Sequence, residues 1–136
     1  MGLAKIKQHW RNMVARWAAY PVVWCLAGEG AMPYYLSTDK EGDIKLQISG
    51  WIDVGRYIRQ IDPYRRPLGL HSAPDISDLV QEERLLDVNL IQPAHGGPET
   101  LKASVFQIQR EYAHQPVMPS LIAEMSYEGI LHYSGE

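Results

Sequence analysis

Pro21-Val22-Val23-Trp24-Cys25-Leu26-Ala27-Gly28-Glu29-Gly30 is a short apolar run that stops at an acid held between two glycines. Three further runs stop at polar, chemically capable side chains in the same way. Pro67-Leu68-Gly69-Leu70 ends at His71, Leu85-Leu86-Asp87-Val88-Asn89-Leu90-Ile91 ends at Gln92 and His95, and Val117-Met118-Pro119-Ser120-Leu121-Ile122-Ala123 ends at Glu124. Buried strands of parallel sheets read as nearly continuous apolar runs, and ligands gather at their carboxyl ends. Four such ends on one face make a site.

The intervening segments carry helical patterns. Ile6, Trp10, Met13, Val14 and Trp17 recur at three- and four-residue spacing and predict a helix over 3–19, ended by Pro21. Residues 32–45 have no clean period and are expected to form a long loop over the site. A second helix is predicted over 48–61, stopped by Asp62-Pro63 because the residue before proline leaves the α region. A polar loop with Pro74, Asp75, Ser77 and Asp78 leads through a short helical turn to the third strand. Pro98 starts a helix expected to bury Leu101, Val105, Phe106 and Ile108 and to leave Lys102, Gln109 and Arg110 to solvent.

The resulting order, α-β-α-β-(α)-β-α-β, predicts an α/β fold with a parallel sheet and helical crossovers. No linker or repeat divides the chain, so residues 1–136 read as one domain. The chain opens on a helix with no strand before it and closes just after a strand, and four strands are half of an eight-stranded barrel. The expectation is a fragment of a (β/α)8 TIM barrel covering about four βα units. Its open strand edges are expected to self-associate, and the apolar surfaces of Val22, Trp24, Leu70, Leu90 and Ile122 to lack partners.

Composition narrows the function classes. A formal charge of -3, with no block of Lys or Arg, leaves no electrostatic footprint for nucleic acid. No stretch reaches the roughly 20 apolar residues that span a bilayer, and the start of the chain lacks a signal peptide's apolar core. The single cysteine, Cys25, excludes an intramolecular disulfide and is expected to be a buried small hydrophobe.

Glu29 and Glu124 at two strand mouths are the minimum equipment for hydrolysing a glycosidic bond, one as general acid/base and one as nucleophile or base. Glu29 is expected to be partly desolvated, which raises a carboxyl pKa. Glu124 could instead pair with Arg65 or Arg66, and Glu128 competes with it or binds substrate. His71, Gln92 and His95 can each donate and accept, which suits sugar hydroxyls; His71 and His95 could alternatively serve a metal-dependent hydrolase. Tyr34, Tyr35 and Tyr127 follow the strand-end acids as candidate stacking platforms, whereas Trp24 and Trp51 read as core. A carbohydrate-binding module without catalysis uses the same aromatic and amide groups.

Tyr20-Pro21-Val22-Val23-Trp24-Cys25-Leu26-Ala27-Gly28-Glu29, with Met32-Pro33-Tyr34-Tyr35, resembles the apiosidase-like family of bacterial glycoside hydrolases. So do Ile61-Asp62-Pro63-Tyr64-Arg65-Arg66-Pro67 running into His71, the stretch from Leu86-Asp87 to Gln92 and His95-Gly96, and Glu124 followed by Tyr127-Glu128-Gly129. The resemblance implies a (β/α)8 barrel in which this chain supplies strands four to seven. It also implies a carbohydrate substrate, no cofactor, Glu29 at the acid/base position and Glu124 at the nucleophile or second-carboxylate position. Family members are commonly exported. Half a barrel is expected to be catalytically silent by itself.

Overall fold

The computed structural model describes residues 2–33, 35–72, 80, 85–93, 98–113, 115 and 117–124. Helix α1 (Leu3–Trp17) leads to strand β1 (Trp24–Gly28), helix α2 (Lys40–Ile61) to β2 (Leu68–Ser72), and helix α3 (Pro98–Ala113) joins β3 (Val88–Ile91) to β4 (Ser120–Ile122). The four strands form one sheet in the order β1-β2-β3-β4, and every neighbouring pair is parallel. This is the α/β architecture that the alternating runs predict. The helical turn expected before β3 falls largely outside the described residues.

Strand alternation sorts the side chains onto two faces. Trp24 and Leu26 of β1 and Leu68 and Leu70 of β2 are buried together with Trp10, Val14 and Ala18 of the α1 segment and Val54 and Ile58 of α2. This is the core. The Trp10 and Trp24 rings meet edge to face at 5.8 Å, an arrangement worth about 0.5–1.5 kcal/mol beyond area burial. Lys7 bridges to Asp53 at 2.8 Å and ties α1 to α2.

The opposite face of the sheet is open among the described residues. Cys25, expected inside, is exposed there, because it alternates with Trp24 and Leu26 rather than joining them. Leu121 is 58% exposed on β4. Trp24 and Leu70, expected to lack partners, are 4% and 0% exposed, because the helices cover their face.

Two helices differ from expectation. Helix α2 begins at Lys40, so the loop after β1 stops at Asp39 rather than reaching residue 45. The Asp39 carboxylate accepts from the Gly42 backbone N–H at 2.9 Å, while Glu41 and Asp43 in the first turn favour the helix dipole. Helix α3 exposes Leu101, Val105 and Phe106 and buries Ser104 and Glu111 instead. Asn89 of β3 donates to Glu111 at 2.9 Å, so the side of the helix that carries Glu111 faces the sheet.

The amino-terminal end of the sheet is held by a polar network. Asp62 accepts from the Trp24 indole N–H at 2.8 Å and from the backbone N–H groups of Tyr64 and Arg66 at 2.9 and 3.0 Å. Burial opposes ionisation of this carboxyl, but those three donors and the Arg66 charge outweigh it and hold the pKa below the usual carboxylate value. Arg66 also donates to the Ala18 and Ala19 carbonyls. Arg59 donates to the Leu85 and Arg66 carbonyls and to Asp87, which in turn accepts from Leu68 N–H.

Candidate active site

Four candidate side chains, Glu29, His71, Gln92 and Glu124, come together from the carboxyl ends of strands. The register explains how Glu29 is aimed. Cys25 pairs with Gly69 and Gly28 pairs with His71, so β1 takes one residue more than β2 over the same span. Such a bulge bends the strand and redirects the chain beyond it. Glu29 then takes φ 52°, in the left-handed region that costs an L-residue about 1–2 kcal/mol. Gly30 tucks against Leu70 so closely that a Cβ would lie 3.0 Å from its Cδ1, which explains the glycine after the acid.

The loop beyond is pinned. Gln47 of α2 accepts from Met32 N–H at 2.8 Å and donates to the Met32 carbonyl at 3.0 Å. This two-bond clamp is invisible to sequence periodicity, since it joins a loop residue to one fifteen positions away.

Two contacts define the site. Gln92 Nε2 donates to Glu29 Oε1 at 3.4 Å. His71 Nε2 lies 3.3 Å from Glu124 Oε2, with the two side chains 14% and 22% exposed. Each contact skips a strand: the first joins the ends of β1 and β3 above β2, and the second joins β2 to the end of β4 above β3. Strands two places apart are separated by about 10 Å in the hydrogen-bonding direction, so these side chains lean toward one another. The His71 ring lies between the two acidic segments. Its Nδ1 is 3.9 Å from where a Cβ on Gly28 would sit, while its Nε2 faces Glu124.

Glu124 has His71 beside it. Arg66 is committed at the other end of the strands, to Ala18, Ala19 and, through its backbone, Asp62. Glu29 is exposed rather than partly desolvated, because the glycines beside it offer no side-chain cover. Tyr35 is 77% exposed on the loop after Glu29. Trp51 packs against the core at the surface of α2, as its reading as a core residue requires. Tyr34, His95, Tyr127 and Glu128 lie outside the described residues. Among the described residues no cluster of three His, Cys, Asp or Glu side chains is placed to hold a metal, and no helix is long and apolar enough to cross a membrane.

The arrangement offers two carboxylates at one end of a parallel sheet, one on strained backbone beside an amide and one beside an imidazole. No curated protein matches the chain, and no solved structure does. The family model described as "Apiosidase-like, catalytic domain" matches residues 1–136, the whole chain, and the protein therefore belongs to the apiosidase-like catalytic-domain family.

Proposed function

We propose that the chain carries the catalytic acids of a glycoside hydrolase that cleaves glycosidic bonds in plant or bacterial polysaccharide side chains. The observation that carries this reading is the pair of interlocked contacts, Glu29 with Gln92 and Glu124 with His71, which gathers both acids above the same carboxyl ends. In this reading Glu29 protonates the leaving oxygen and, where Glu124 acts as nucleophile, later deprotonates the water that releases the sugar. Glu124 attacks the anomeric carbon or activates the water itself, the choice being set by the separation of the two carboxyl groups. Tyr34, Tyr35, His95, Tyr127 and Glu128 hold the sugar through stacking and hydroxyl contacts.

The same reading makes the four strands the fourth to seventh of a (β/α)8 barrel. Convergence of side chains from strands two places apart supports a sheet that is concave on its open face. Exposed Cys25 and Leu121 lie on that face, where a closed barrel packs its interior. Residues 1–136 alone are then catalytically silent and associate through the edges of β1 and β4.

The test uses the full-length protein with aryl glycosides, including an apioside, and pectic oligosaccharides. Glu124→Gln is expected to lose turnover by orders of magnitude on every substrate. Glu29→Gln is expected to lose it on oligosaccharides and to retain more on aryl glycosides with activated leaving groups, which need no protonation. Full turnover in either variant on oligosaccharides removes that residue from the mechanism. Substrate binding by titration without any hydrolysis supports a carbohydrate-binding role instead.

A further inference from the structure

We propose that His71 and Gln92 are positioning residues, each orienting one of the two carboxylates, and that neither binds the sugar itself. The inference rests on the two-carboxylate reading above and goes beyond it by assigning these two strand-end groups to the acids rather than to substrate.

Placement is the first argument. His71 is the last row of β2 with a partner on both sides, opposite Gly28 and Leu90. Gly28 leaves the flank of the ring uncrowded, with ordinary contact distance even to a Cβ built there. The ring therefore fills the gap between the Gly28-Glu29 turn and Glu124, and its Nε2 is spent on the Glu124 carboxylate. With the side chain only 14% exposed, little of the imidazole is left for a ligand.

The second argument is what the acids need. Glu29 is an exposed side chain on a single left-handed residue, and Glu124 stands two positions beyond the last residue of β4. Neither is fixed by strand pairing at its own position. A carboxylate that must reach an anomeric carbon or a leaving oxygen loses about 100-fold in rate for a misplacement near 1 Å. Gln92 and His71 add a constraint from the neighbouring strand ends. Each bond crosses one intervening strand, so the two acids are referenced to the same sheet through β3 and β2.

Kinetics of the full-length protein separate this from sugar binding. His71→Ala and Gln92→Leu are expected to lower kcat by about 100-fold while KM stays nearly constant, and His71→Gln, which keeps a donor, recovers part of the loss. Adding His71→Ala to Glu124→Gln, or Gln92→Leu to Glu29→Gln, is expected to cost nothing further, because groups that act through one another are not additive. A raised KM with kcat retained, or losses that multiply in the double variants, overturns the proposal while leaving the two acids in place. Full turnover in Glu29→Gln and Glu124→Gln would strike the function itself. The contacts are then read directly by nuclear magnetic resonance. The His71 ring nitrogens should shift in Glu124→Gln but not in Glu29→Gln, and the Gln92 side-chain amide in Glu29→Gln but not in Glu124→Gln. Unmoved signals refute the pairing.

Discussion

Replacing Glu29 by glycine is expected to stabilise the protein while abolishing its turnover of oligosaccharides. At φ 52° the Cβ of Glu29 crowds its own backbone, at about 1–2 kcal/mol for an L-residue. Glycine removes that strain and adds about 0.5–1 kcal/mol of unfolded-state entropy to be lost on folding. The contact given up is a 3.4 Å hydrogen bond to an exposed carboxylate, which contributes little to stability. The net gain is about 0.5–1 kcal/mol. Glu29→Ala sharpens the comparison: it loses the same carboxylate and keeps the Cβ, so Glu29→Gly should exceed it by about 1 kcal/mol in urea unfolding. Arg65, exposed at φ 49° in the turn before β2, provides the control. Arg65→Gly should gain similarly and leave turnover untouched. Equal stability of Glu29→Gly and Glu29→Ala would mean that no strain is stored at this position, and full turnover of oligosaccharides by either would remove the carboxylate from the chemistry.

Asp62 predicts a pH dependence. Its folded pKa is depressed, so its contribution is fully present above the unfolded value near ~3.9 and is lost as pH falls through the folded one. The deficit of Asp62→Asn against wild type in urea should therefore be largest near neutrality and shrink below about pH 4; a deficit constant from neutrality into acid would contradict the assigned donors. Among glycines, Gly69→Ala should cost about 1–3 kcal/mol, since its Cβ would meet the Val88 carbonyl at 2.8 Å and Leu90 Cγ at 2.9 Å. Gly50→Ala, in open space on α2, should instead gain up to about 1 kcal/mol. Opposite signs in urea unfolding confirm the packing, and equal signs refute it.

Strands and helices were legible where apolar runs and helical periods were continuous, as in the Trp24–Gly28 strand and the Trp10, Val14 face of α1. The start of α2 was not, because Gly42 and the charged residues around it hid a cap whose signal, Asp39 followed by Glu41 and Asp43, is present in the chain. Helix α3 misled for a different reason. Its apolar stripe predicts burial, yet the buried side carries Ser104 and Glu111, and Glu111 accepts from Asn89 of the sheet. Cys25 shows the same weakness one residue at a time, since an unbroken apolar run does not say which of its members alternate onto an uncovered face. At the site, the strand-end rule pointed to Glu29, His71, Gln92 and Glu124 alike, but not to which of them pair. Each pair reaches across a strand, and the bulge in β1 that aims Glu29 leaves no mark on composition.

The two ends of the sheet divide the work of the fold. At the amino-terminal end, carboxylates meet guanidinium groups and backbone donors: Asp62 takes three N–H bonds, and Asp87 takes Arg59 and Leu68. Such partners pin an anion and close the joints between strands and helices, which serves stability. At the carboxyl end the acids face an amide and an imidazole, and one of them stands on backbone that any stability-driven choice would have made glycine. Backbone strain of this kind clusters at functional sites, and the carboxyl end is where parallel α/β sheets place theirs. The prediction for Glu29 follows from this division: stability and activity should move in opposite directions there, whereas Asp62 should affect stability while leaving the geometry of the acids intact.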